Sequence, residues 1–195
     1  ADMGIYLLND GSELQTLIHS NNYIDNCIVT DVCRQRKSGV AAIGLGNSVG
    51  NVVSHNKIYD TPFFAIIAMG NDNIVEYNDI SNVANEVADS AAIYSGQRFS
   101  DQGNIYRYNY IHDIKQHSAK TNGSVVGIYI DDMDSGATIY SNIINRVPTG
   151  FLLGGGKNVT LKNNIIMKGT KPKNVPFRFK TIIFFNFISI IKIKA

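Results

Sequence analysis

The sequence predicts an all-β chain wound as a right-handed parallel β-helix of about six coils, each with three short strands. Three observations carry this expectation. The phrase Asn-x-Ile recurs six times, two other short phrases recur between its copies, and no segment sustains a 3.6-residue apolar period for ten residues.

The Asn-x-Ile copies begin at Asn26, Asn56, Asn78, Asn109, Asn142 and Asn163, at intervals of 30, 22, 31, 33 and 21 residues. Two intervals lie near a base period of 21–22, and the others exceed it by 8–12. A small residue followed by a short apolar strand opens each coil: Gly4–Leu7, Ala42–Leu45, Ala65–Ala68, Ala92–Ser95, Gly127–Ile130 and Gly150–Leu153. A third strand phrase precedes the Asn from the second copy onward, at Asn51–Ser54, Asn73–Glu76, Asn104–Arg107, Ala137–Tyr140 and Asn158–Leu161. Leucine-rich repeats share such a period, but Leu is scarce here. Stacked coils set like residues in ladders about 4.8 Å apart. The repeated Asn is expected to bond its counterparts above and below at a corner, where the left-handed conformation is also open to it.

Composition narrows the function classes. An apolar fraction of 44% permits a buried core, while 17% charged residues and a net charge of +2 exclude a strongly basic nucleic-acid binder or an acidic tail. Cys27 and Cys33 have no CxxC motif or His cluster beside them and are expected to be free thiols in or near the core. Residues 1–10 do not form a signal peptide; they read as the middle of a strand, so the chain is expected to begin inside a domain. After Lys168 the repeat stops. The division expected is a β-helix fragment over 1–170 and a non-repeat tail over 171–195, either a cap or out-of-frame sequence. The tail's apolar part is too short and interrupted to span a membrane.

The long intervals locate insertions at 31–38, 83–90 and 114–125, with a smaller one at 97–103. Equivalent corners stack, so these loops should wall one side of the helix, the usual binding face of a solenoid. Unusual polar residues gather there: Asp89, Tyr94, Arg98, His112, Asp113, Tyr129, Asp131 and Asp132. With Ile93 and Ile128 inward, the two-residue period turns Tyr94, Tyr129 and Asp131 outward. Neighbouring coils have Gly44 and Gly46, or Leu152 and Gly154, in those places.

Paired acids beside flat aromatic rings suit a sugar. Glycosidases use two carboxyl groups, about 5–5.5 Å apart for retention or roughly 6.5–9.5 Å for inversion. Two acids held close also push their pKa values apart, leaving one with a proton to donate. Structural readings stand beside this: Asp caps β-helix turns, and His112 suits the surface. Asp132–Gly136 offers oxygen ligands for calcium but lacks the distal Glu of an EF-hand loop. Gly154–Gly156 lacks the Lys-Ser/Thr of a phosphate loop.

The runs Asp89–Gly96, Asp101–Asp113, Gly127–Gly136, Gly154–Asn158 and Asn163–Ile165 resemble glycoside hydrolase family 141, over about residues 4–168. The resemblance implies a right-handed parallel β-helix enzyme acting on xylan-type or fucoside-like plant polysaccharide, secreted or periplasmic. It implies catalytic carboxylates at Asp89 and at Asp131 or Asp132. Tyr94, Arg98, His112, Asp113 and Tyr129 would hold the sugar. Members of that family are much longer, so the chain is expected to be a fragment. No cofactor is expected apart from a possible calcium. The expected partner is a polysaccharide or oligosaccharide, with no nucleic acid and no membrane, and the chain is expected to be a monomer. The alternatives are a lyase or epimerase on the same scaffold, with Arg98 and His112 at a uronate, and a non-catalytic or inactive remnant.

Overall fold

A computed structural model describes residues 2–115 and 124–167. The first coil holds β1 (Ile5–Leu8), a short helix α1 (Ser12–Thr16), β2 (Tyr23–Asp25) and β3 (Ile28–Thr30). The second has β4 (Ala41–Val49), β5 (Val52–Ser54) and β6 (Lys57–Tyr59). The third has β7 (Phe64–Asn71), β8 (Ile74–Glu76) and β9 (Asp79–Ser81). The fourth has β10 (Ser90–Gly96), β11 (Ile105–Arg107) and β12 (Tyr110–His112). The fifth has β13 (Val125–Asp131), β14 (Thr138–Tyr140) and β15 (Ile143–Asn145). The sixth has β16 (Thr149–Leu153), β17 (Thr160–Lys162) and β18 (Ile165–Met167). Like strands stack into three six-stranded sheets, all parallel, so the predicted solenoid of three strands per coil is the fold. Helix α1 departs from the expectation of none; its Glu13 side chain accepts from the Val49 amide at 3.0 Å, tying it to the second coil.

Each sheet turns one apolar column inward. Ile43, Ile66, Ile93 and Ile128 pair in register on the first sheet, and all are fully buried. Val53, Val75, Tyr106 and Ile139 form the second column, and Ile58, Ile80, Ile111 and Ile144 the third. Burying each such side chain contributes about 1.5–3 kcal/mol. No strand of three residues could hold itself together, so the stack rather than the coil is the stable unit.

The asparagines run between coils as a polar spine. Asn56, Asn78, Asn109, Asn142 and Asn164 each accept from the backbone amide and side-chain amide of the coil below, or from Cys27 N–H in the first case. Asn22, Asn51, Asn73 and Asn104 form a second spine at the corner between the first and second sheets. Two expectations need correction. The first and last coils are one residue out of the predicted register: Cys27, not Asn26, and Asn164, not Asn163, occupy the ladder. The spacings along it are therefore 29, 22, 31, 33 and 22 residues. The left-handed residue is also not the ladder Asn but the one before it: Asn26, His55, Tyr77, Tyr108, Ser141 and Asn163 all have φ between 52° and 56°. Rings in that strained conformation gain from each other, since His55, Tyr77 and Tyr108 stack at 5.0 and 4.9 Å.

The insertions at 31–38 and 83–90, and the described ends of 114–125, join the third sheet to the first, as expected. Lys37 and Arg34 both pair with Glu86, linking two of these loops. Cys33 is buried and Cys27 half-buried, both free. The predicted tail over 171–195 lies outside the described residues.

Candidate active site

The outer face of the first sheet carries the site. Tyr94 and Tyr129 pair in register on β10 and β13, on the face opposite Ile93 and Ile128. They face away from the coil interior, as the period of two requires, yet they are not open platforms. Both are under a tenth exposed and pack with Phe63, Phe64 and Ala91 in a second apolar cluster outside the coil. Phe64 stacks on Tyr94 at 4.4 Å, and Tyr94 meets Tyr129 edge-on at 5.5 Å.

The packed rings aim their hydroxyls at Asp131. Tyr94 Oη donates to Asp131 Oδ2 at 3.1 Å, and the Asp132 backbone N–H donates to Asp131 Oδ1 at 2.9 Å. Burial, with Asp131 adding to it, pushes both phenols well above their ordinary range, so they remain protonated donors. Glycine makes this approach possible. Gly96 is the register partner of Asp131, and a Cβ there would lie 2.7 Å from Asp131 Cβ and 2.8 Å from Tyr94 Oη. On the other side, a Cβ at Gly154 would lie 2.5 Å from the Asp132 amide nitrogen.

Asp89 closes the arrangement from the loop that precedes β10, in the left-handed conformation at φ 57°. Partial desolvation raises its carboxyl above the ordinary range, and the charges of Asp131 and then Asp132 raise it further. Asp89 and Asp131 line one groove of about 410 Å³ with Tyr94 and Tyr129. The groove runs along the helix axis to the first coil, where Tyr6 lies over Gly44 and Gly46. Those two glycines, bland in the sequence, are what deepens it. Ser38 and Gly39 line one wall from the 31–38 side and Gln97 the other from the smaller insertion.

The structure therefore brings together Asp89, Tyr94, Tyr129 and Asp131. Asp132 is exposed and outside the groove lining, though its charge reaches Asp89. Arg98 follows β10 in the turn toward the second sheet, where it acts on Asp101. His112 and Asp113 lie at the end of β12 on the third sheet, in a network of their own. His112 Nε2 meets Asp79 at 2.8 Å and Nδ1 meets Asp113 at 2.7 Å, while the ring stacks on Tyr110 at 4.1 Å. Arg146 pairs with Asp113 and holds its carboxyl far below the usual carboxylate range, with His112 adding to the effect. Proximity to the long loops in sequence suggests these three residues, but none of them lines the groove. Phe63, Phe64 and Gln97 were missed: none sits in a repeated phrase.

The proposed calcium segment is split, since Asp132 is exposed and Asp134 is buried inside the coil. Among the described residues, no three His, Cys, Asp or Glu side chains converge on a metal position.

The family described as right handed beta helix region matches residues 2–166, the whole described fold. The chain belongs to this family. No curated protein and no solved structure matches it. Its β-helix suits the carbohydrate-active, pectate-lyase-like type of scaffold. No helix among the described residues is long and apolar enough to cross a membrane.

Proposed function

We propose that this β-helix protein is a glycoside hydrolase of plant-type polysaccharide, xylan or fucoside-like, working in the groove of the first sheet. The observation that supports this best is the pairing of two unlike carboxyls in one groove. Asp131 receives a tyrosine hydroxyl and a backbone N–H, which fix both of its oxygens in the groove. Asp89 faces that charge and is biased toward its protonated form. Asp89 is accordingly the general acid that protonates the leaving oxygen, and Asp131 the base or nucleophile. Asp132 modulates Asp89 through its charge. A groove aligned with the helix axis suits an extended chain, and the assignment accords with a secreted or periplasmic enzyme. The lyase reading has less support, because the described groove lining contains no Lys or Arg to neutralise a uronate.

The test uses purified protein on xylan, aryl xylosides and aryl fucosides. Asp89→Asn and Asp131→Asn should each lower kcat/KM by about 10²–10⁴-fold, and Asp132→Asn by much less. Wild-type turnover in both single variants would sink the assignment. Sugar binding without turnover in the wild type would instead favour the non-catalytic reading.

A further inference from the structure

A second set of acidic residues lies inside the coil, at the corner between the first and second sheets. Three places before the second asparagine column, successive coils carry Ser48, Gly70, Asp101 and Asp134. Parallel stacking sets such equivalents about 4.8 Å apart. Asp101 and Asp134 are thus vertical neighbours, at 0% and 1% exposure.

Each carboxylate uses only one oxygen. Asp101 Oδ2 accepts from Gly70 N–H at 2.7 Å, and Asp134 Oδ1 accepts from Ser135 N–H at 2.9 Å. Asp101 Oδ1 and Asp134 Oδ2 are buried without a hydrogen-bond partner. A third buried oxygen points the same way. Ser95 lies two residues after the inward Ile93, is fully buried, and its Oγ makes no hydrogen bond of ordinary geometry, only weaker approaches to Asp134 and Tyr106. It sits close enough to Asp134 to favour that carboxyl's charged form. Tyr106, also fully buried, feels the charges of Asp134 and Asp101. Among the described residues no Lys or Arg forms an ion pair with either acid, although Arg98 acts on Asp101 at longer range. Two stacked, buried carboxylates with unused oxygens are unfavourable unless positive charge compensates them.

We propose that Asp101, Asp134 and Ser95 form an interior site for one calcium-sized hard cation, held by their three free oxygens. An all-oxygen set containing two carboxylates suits that ion class and not a soft metal. The site would also support the outer groove. The Asp134 N–H donates to the Asp131 carbonyl at 3.1 Å, so the ion anchors the turn that presents Asp131.

The experiment titrates calcium chloride into the chelator-treated full chain, with magnesium and sodium chloride as parallel arms. Calorimetry should give one equivalent of calcium, and Tm should rise by roughly 5–10 °C at a hundredfold excess over Kd. Ser95→Ala should weaken binding about tenfold. The Asp101→Asn, Asp134→Asn double variant should abolish it, and Asp132→Asn should leave it unchanged. No uptake by the wild type, or undiminished uptake by the double variant, overturns the site. A shared proton between the acids would show itself as a stability change with pH and no response to any cation, which also overturns it. Should the double variant fail to fold, terbium luminescence decides the location. Emission sensitised by tyrosine should drop in Tyr106→Phe while calcium affinity holds, and undiminished emission places the ion elsewhere.

Discussion

Burial pushes the Asp134 carboxyl up to about 6, with the charge of Asp101 adding to the effect and Ser95 opposing it. Its unfolded-state counterpart titrates near the ordinary 3.8. Between these values the folded chain binds the proton more tightly than the unfolded chain. Stability in chelator-treated protein should therefore fall as pH rises from about 4 to about 6, by up to about 3 kcal/mol, and level off above. Asp134→Asn should flatten that fall, as read from urea midpoints between pH 4 and 7. An equal slope in the variant would assign the loss to another group. Calcium, if bound as proposed, should also reduce the slope. At this scale the sequence pointed to Tyr94, Tyr129 and Asp131 because strand alternation and coil stacking fix which face a side chain takes, and to Asp89 by its place at the end of an insertion. It did not disclose Ser95 and Asp101. A serine in an apolar strand and an aspartate in a turn are ordinary in sequence, and only the corner geometry shows that each buries an oxygen without an ordinary hydrogen bond.

The coil-to-coil ladders are where single substitutions should act most sharply. Asn109 receives bonds from the Asn78 backbone and side chain, and gives bonds to Val75 O and Asn142 Oδ1. Asn109→Ala removes bonds to two other coils and orphans the buried Asn78 backbone N–H at about 1–3 kcal/mol, while Asn142 Oδ1 keeps the backbone N–H of residue 109. The variant should lose about 3–5 kcal/mol of stability in denaturant unfolding. Asn164→Ala, in the half-exposed last coil, should lose less. Equal losses would mean that the ladder is not the source of the difference. The ladder also explains the register error at both ends of the sequence reading. Asn26 and Asn163 satisfy the repeated phrase by eye, but the residue that must reach the next coil is the following one. Cys27 fills that place with its backbone alone, and Asn163-Asn164 offers two candidates of which only the second stacks. A pattern of residue types cannot distinguish these; the left-handed φ of the residue before the ladder does.

At the scale of the whole molecule, the three sheets and both asparagine spines run in one direction. The number of coils and the placement of loops were legible in the sequence because stacking forces a common base period, met at 22 residues in two of the five intervals. The groove's depth was less legible, since it depends on Gly44, Gly46 and Gly96 allowing aromatic rings to lie across them. In the proposed hydrolase, Gly96→Ala should push the Tyr94 hydroxyl away from Asp131 and lower turnover by about tenfold or more with the fold intact, checked by circular dichroism beside the kinetics. Retained turnover would show that this hydroxyl is not needed.

The spine has a mechanical consequence. Its bonds, like those of the sheets, point from coil to coil, so cohesion is strongest against sliding and weakest against peeling. A molecule gripped at the first and last coils and pulled along its axis should open one coil at a time, each rupture releasing between 22 and 33 residues of slack. Pulled across the axis, the same protein should resist as a block, because the load then crosses many parallel bonds at once. The β-helix is in this sense a zipper lengthwise and a rod crosswise.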